Sequence, residues 1–233
     1  MKPLLTIALL VVVTTALQAQ HHALNELTRH FETLRGVYPY HWVCTGDTIK
    51  CDTNDDGVVG YKVSGLWVSS CETPRDLWCY IMDLPLDNEE EAELPVTAVR
   101  RIDVDTFIAR LNRLTRQQWR LPTREEWLFV YHGGIFSEGY RYCGSNRPEW
   151  VAWYRGTSGG MLHPVGERIP NEVDMYDMLG NAAEWVTVGD SIQAIGGCCL
   201  DPSPKNNPDH MFTPAPPSMQ GFRLVFTEAQ WFW

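Results

Sequence analysis

The chain is poor in positive charge: Lys and Arg number 19 against 29 Asp and Glu, for a formal net charge of −10. That balance excludes a nucleic-acid binder, which needs basic patches, and disfavours anionic membrane surfaces while favouring cations. Only one apolar run could be taken for a membrane segment, Leu4 to Val13, and it is too short for a comfortable span. There is no internal repeat and no low-complexity segment. No Glu-x-x-His or His-x-x-x-His-x-Glu pattern is present, so a His-rich iron site on helices is not expected. No cysteine follows Cys199.

What is present is a chain of 233 residues, enough for one sizeable core and too few for two comfortable domains. With 44% of residues hydrophobic, a globular body is expected. Lys2, the Leu4–Val13 run and the small-residue stretch Ala16–Ala19 read as a secretory signal over residues 1–20. No Cys follows the apolar run, so a bacterial lipoprotein anchor is not expected. The reading is an exported chain, periplasmic, surface-bound or secreted, with no membrane span after signal cleavage. Seven cysteines, Cys44, Cys51, Cys71, Cys79, Cys143, Cys198 and Cys199, allow disulfides in such a compartment. The odd count leaves at least one thiol over. Cys44 and Cys51 flank a short polar loop and form the best local bridge, and one of Cys198 and Cys199 is expected to pair elsewhere, for example with Cys143.

Local patterns set out the order of elements. Leu24, Leu27, Phe31 and Leu34 have helical spacing, with Gly36 able to end the helix. Val37–Val43 and Val58–Ser69 read as strands. Asp52, Asn54, Asp56 and Gly57 fit the first positions of an EF-hand-type loop, but Val63 stands where that loop needs Glu, so a hairpin turn is expected. Thr73-Pro74 starts a short helix with Pro at its first position. Asp103 is the expected N-cap of a helix whose stripe is Val104, Phe107, Ile108, Leu111 and Leu114. Thr123 and Glu126 fit a capping box before a second helix ending at Gly133-Gly134. Residues 135–170 read as long ordered loops tethered by buried aromatics, and His163 as a hydrogen-bonded structural residue. Ala183–Val188, Ile192–Gly197 and Phe222–Phe226 are strand candidates. Trp231-Phe-Trp233 forms an aromatic tail.

The organising stretch is Asn171 to Trp185, which crowds Asp174, Asp177 and Glu184 against Gly180-Asn181 and large apolar residues. Gly and Asn tolerate positive φ, so a tight turn can aim carbonyls and carboxylates at one point, as Ca²⁺ requires. The plainer alternative is a capped turn feeding a strand.

Tyr176-Asp-Met-Leu-Gly-Asn-Ala-Ala-Glu-Trp185 resembles the most recognisable segment of the formylglycine-generating enzyme, or sulfatase-modifying factor, family. Leu94–Thr97, Arg120–Trp127, His163–Gly166, Gly196-Gly197 and Gly221–Val225 follow that family's order. The resemblance implies an α+β fold of the formylglycine-generating type, a variant of the C-type lectin fold. It would have small, mostly antiparallel sheets, a few helices and long ordered loops. The implied division is a signal over 1–20, a helix and hairpin extension over 21–57, the family domain over 58–226 and a tail over 227–233.

The resemblance also implies a structural calcium on Asp177, the carbonyls of Gly180 and Ala182, and Glu184; an internal ion pair of Glu184 with Arg223 is the competing use of that carboxylate. A second family calcium site would begin near Val151, whose side chain cannot coordinate. Family enzymes oxidise a substrate cysteine using O₂ and copper held by two cysteines a few residues apart, between the Gly-Gly strand and the closing strand. Here that interval offers only the adjacent Cys198 and Cys199, so copper is not expected. The implied role is a non-catalytic binding or scaffolding module at the cell envelope with a protein or glycan partner. The alternatives are a divergent oxidoreductase using Cys198 or Cys199 with a metal, and a Ca-dependent carbohydrate binder.

Overall fold

The computed structural model describes residues 40–44, 48–52, 58–62, 66–115, 117–204 and 215–227; side chains are described from residue 66 onward. The expected signal, the helix over 24–36, the side chains of Cys44 and Cys51 and the aromatic tail lie outside the described residues.

Eight strands and five α-helices order the described chain. β1 (Tyr40–Cys44), β2 (Thr48–Asp52), β3 (Val58–Lys62) and β4 (Leu66–Ser69) come first. Helices α1 (Arg75–Met82), α2 (Arg101–Thr115) and α3 (Arg124–Tyr131) follow. Two one-turn helices, α4 (Pro148–Val151) and α5 (Arg155–Ser158), punctuate the long loops. The closing strands are β5 (Ala183–Val188), β6 (Ser191–Ile195), β7 (Gln220–Gly221) and β8 (Val225–Thr227). The sheets are small: β1-β4-β8, the pair β2-β3, and β6-β5-β7. Every pairing is antiparallel except β5 with β7. This is the expected α+β architecture, and β2 and β3 flank residues 53–57 as the arms of the expected hairpin.

α2 buries Val104, Phe107 and Leu111, the centre of the expected stripe. Trp78 of α1 stacks on Phe107, and Phe222 meets both rings edge-on. Arg110 of α2 donates to the carbonyls of Ile81 and Met82, satisfying acceptors that the end of α1 leaves open. At α3 the capping box forms: Thr123 Oγ accepts from Glu126 N–H, and Glu126 accepts from Thr123 N–H. Arg120 grips the same Glu126 through both carboxylate oxygens at 2.7 Å, so these charges serve the helix start.

Three local expectations shift. Pro74 is the N-cap of α1 and not its first residue. α2 starts at Arg101, which places Asp103 in the first turn, where Arg100 holds it bidentately. The expected strand over 222–226 is split: β7 joins the β5 sheet and β8 joins β4, with Phe222–Leu224 crossing between them. Thr73 N–H donates to Phe222 O and Ser69 N–H to Leu224 O, so the crossing backbone is paired without ladder geometry.

Candidate functional site

The 171–185 stretch is a wedge between two cores. Met175, Met178 and Leu179 pack with Trp127 and Tyr131. Tyr176 and Trp185 pack with α1, α2 and Phe222. To turn this tightly the backbone takes positive φ at Asp174, Asp177, Gly180 and Asn181 (58°, 54°, 88° and 53°). Asp and Asn are the side-chain-bearing residues that best tolerate this region, so the composition of the stretch follows from its path. Asn171 anchors its start, donating to Val130 O and accepting from Val173 and Met175 N–H. Asn181 anchors its end, bonding His163 N–H and His163 O.

Three carboxylates lie under this wedge. Glu72, Asp177 and Glu184 are 1%, 2% and 1% exposed, beside a fully buried Arg223. Glu184 takes Arg223 Nε at 2.5 Å and Nη2 at 2.6 Å, and also accepts Trp127 Nε1–H at 2.7 Å. The remaining guanidinium hydrogens go to Ser69 O, Ser70 O and Tyr176 O. Glu72 accepts from Ala182 N–H at 3.2 Å and Asn181 Nδ2 at 3.5 Å. Asp177 Oδ2 accepts from Gly166 N–H at 2.6 Å, while Oδ1 is buried with no partner.

The electrostatics follow from one cation among three acids. Burial, then the charges of Asp177 and Glu184, push Glu72 well above the usual carboxylate range. Burial pushes Asp177 up to about 6, against the Gly166 hydrogen bond and Arg223. Burial alone would lower Arg223, but Glu184 overrides it and holds the guanidinium charged.

The four expected calcium ligands therefore share one turn but not one role. Glu184 is committed to Arg223 and Trp127, and the competing ion pair is formed. Asp177 retains an unsatisfied oxygen, as a hard cation would need. Glu72, which sequence reasoning did not single out, supplies the second uncompensated carboxylate from the β4–α1 junction, 105 residues away from Asp177 in sequence. Among the described residues no three His, Cys, Asp or Glu side chains converge as a metal cluster. Of the three carboxylates only Asp177 has a buried oxygen without a partner; Glu72 accepts from Ala182 and Asn181, and Glu184 is held by Arg223.

Cys198 and Cys199 occupy a turn after β6 in which Asp201 Oδ2 accepts from Cys198 N–H, and both are buried. Cys199 Sγ lies 3.7 Å from Met219 Sδ. Burial, then its neighbour Cys198, pushes the Cys199 thiol up to about 11, and burial raises Cys198 too. Cys143 sits against Asn171 Nδ2 instead of bridging to them. Cys71, Cys79, Cys143, Cys198 and Cys199 are all free thiols, which corrects the expected pairing with Cys143.

His163 is structural, as expected. Its Nε2 lies 3.1 Å from Ser158 O, and its ring stacks on Trp153 at 3.6 Å. Arg168 covers Trp153 at 3.5 Å.

Residues 44–227 match the family model of the sulfatase-modifying factor enzyme 1-like domain. A stretch of 84 residues is 37% identical to chaperone protein LppX of Paenibacillus barcinonensis, covering 29% of this chain and 30% of that protein. Over 106 residues the chain is 32% identical to inactive C-alpha-formylglycine-generating enzyme 2 of Mus musculus, covering 41% of this chain and 32% of that protein. The chain spans about a third of the length of these curated relatives. Among solved structures, Treponema denticola variable protein 1 superposes with a TM-score of 0.66 at 19% identity, covering 82% of this chain and 95% of that one. CarF does so at 0.63 and 21%, covering 82% and 98%. PvdO from Pseudomonas aeruginosa gives 0.57 at 20%, covering 79% and 92%. These structural likenesses establish the fold.

Proposed function

The chain belongs to the sulfatase-modifying factor enzyme 1-like family, and from that premise we propose that it is a non-catalytic member acting as an exported binding or scaffolding module at the cell envelope. The observation that carries this reading is the state of its sulfur. The thiolate is the form that binds copper and attacks substrates, and Cys198 and Cys199 are buried thiols with raised pKa. Behind them the sequence holds no further cysteine to complete a pair. One relative carries the word inactive in its name and another is named a chaperone, and both names suit a binding role. The signal pattern over residues 1–20 supports export, and no helix among the described residues is long and apolar enough to cross a membrane.

The same reading includes a structural calcium ion at the Gly180-Asn181 turn. Asp177 and Glu72 would hold it with the carbonyls of Gly180 and Ala182, and Glu184 would brace the turn through Arg223. The orphaned Asp177 Oδ1 supports this. When bound, the ion would supply the positive charge that Arg223 alone does not.

The test is metal analysis of chain purified without chelator, with Cu(I) titration and O₂ uptake in the presence of a cysteine-containing sulfatase-type peptide. Calcium near one equivalent, no stoichiometric copper and no O₂ uptake are expected. One equivalent of Cu(I), lost in Cys198→Ala or Cys199→Ala and accompanied by O₂ uptake, overturns the non-catalytic reading.

A further inference from the structure

The net charge of −10 is not spread evenly. Residues 138–172 carry Arg141, Arg147, Arg155 and Arg168 against Glu138, Glu149, Glu167 and Glu172, so this segment is locally neutral. Three of these guanidiniums lie over aromatic rings: Arg141 over Tyr142 at 5.6 Å, Arg147 over Trp150 at 4.7 Å and Arg168 over Trp153 at 3.5 Å.

The stacks are joined into one surface by the backbone. Arg141 N–H donates to Asn146 Oδ1, next to Arg147. Ile169 N–H donates to Trp150 O at 3.2 Å, and Arg168 donates to Glu149 O. Arg168 is thereby spent on holding the loops together. Arg141 and Arg147 are exposed, and neither has an acidic partner among the described residues. Trp150 under Arg147, and Ile169 bonded to the Trp150 carbonyl, are 47% and 54% exposed. A guanidinium resting on a ring is already oriented and presents its N–H edge outward, so less side-chain freedom is lost when it grips a carboxylate. Exposed Trp and Arg at adjacent positions are also the residue types that dominate binding hot spots.

We propose that Arg141, Arg147, Trp150 and Ile169 form the docking surface for an acidic polypeptide segment, its carboxylates on the two guanidiniums and an apolar side chain between Trp150 and Ile169. This rests on the binding-module reading above and names the partner's chemistry. The two exposed guanidiniums decide the sign of the partner, since they are matched by carboxylates. The apolar pair decides for a polypeptide. A sulfated glycan or an anionic membrane would call for a denser field of cations than two arginines, and neither has use for an exposed isoleucine.

The experiment pans a random twelve-residue peptide library on the immobilised full chain and measures the enriched peptides by fluorescence anisotropy. Acid-rich peptides with an aromatic or aliphatic residue are expected. Their affinity should fall tenfold or more in Arg147→Glu and in Trp150→Ala, and measurably in Arg147→Lys, which keeps the charge but loses the planar stack. Circular dichroism identifies variants that remain folded, and these surface positions are expected to. Enrichment of neutral or basic peptides overturns the proposal, as does undiminished binding by Arg147→Glu or tighter binding of heparin or phosphatidylserine vesicles. Copper-dependent O₂ uptake would overturn the non-catalytic reading separately, whichever peptides are enriched.

Discussion

Arg223 and Glu184 meet as a bidentate pair, each side chain 1% exposed, Nε to Oε2 at 2.5 Å and Nη2 to Oε1 at 2.6 Å. The pair locks β5 to the crossing between β7 and β8. Through Ser69 O, Ser70 O and Tyr176 O it also fixes the end of β4 and the wedge. One guanidinium thus satisfies backbone carbonyls of two segments that never join a common sheet.

Removing one partner strands the other charge in the interior. Glu184→Ala is expected to cost about 3–5 kcal/mol, read as a fall in unfolding free energy in urea. The double variant Glu184→Leu/Arg223→Met should cost less than the sum of the two single changes, because no uncompensated charge is left. Additive costs would show that the two groups do not act as a pair.

The parts of this architecture that rest on local pattern are legible in the sequence. Val104, Phe107 and Leu111 give α2, Thr123 and Glu126 give the start of α3, and the Asp, Gly and Asn of the wedge announce positive φ. The parts that rest on distant partners are not. Nothing near Phe222 says that its strand will split, because the pull comes from Ser69, Thr73 and Glu184, about 40 to 155 residues away. Glu72 stays hidden for the same reason: its importance lies in facing Ala182 and Asp177, and its one local sign is an acid three residues past β4. The adjacent cysteines mislead because nothing near them in sequence says that Cys143 sits against Asn171 instead.

Asp177 makes stability depend on pH in a direction opposite to that of a salt-bridged acid. Its folded pKa, about 6, lies above the unfolded value near 3.9. The folded state therefore holds the proton more tightly. Its contribution is fully present below about pH 4 and is lost as pH rises through 6, with a ceiling of about 3 kcal/mol. Glu72 shifts in the same direction. In calcium-free buffer, the melting temperature of wild type minus that of Asp177→Asn should fall between pH 4 and 7. A flat difference would remove Asp177 as the titrating group. Calcium favours the ionised carboxylate, so adding it at pH 7 should stabilise the wild type and leave Asp177→Asn unmoved.

The thiols should react in the order of their burial. Cys79 is half-buried on α1, whereas Cys71, Cys143, Cys198 and Cys199 are buried, and burial raises the pKa of all five. With brief iodoacetamide treatment at pH 7.5, peptide mapping should find Cys79 alkylated before the other four. Labelling of Cys199 ahead of Cys79 would mean an accessible, activated thiol in the turn after β6, contrary to its place against Met219.

Gly180 carries the tightest steric requirement of the wedge. Its φ is 88°, and a Cβ there would lie 2.1 Å from Trp153 O. That carbonyl accepts from Asn181 N–H, and Trp153 N–H donates to Leu179 O, so the two backbones are laced together and cannot part to admit a methyl group. Gly180→Ala combines backbone strain with a clash against main chain and is expected to cost about 3 kcal/mol or more. Gly189→Ala is the control. Its φ is 55°, but nothing lies within 4 Å of a Cβ, so only the left-handed backbone penalty of about 1–2 kcal/mol applies. Equal losses at the two positions would mean that backbone conformation alone decides. A larger loss at Gly180 would place the requirement in the close approach of Trp153, the contact that seats the 153–170 loops on the carboxylate turn.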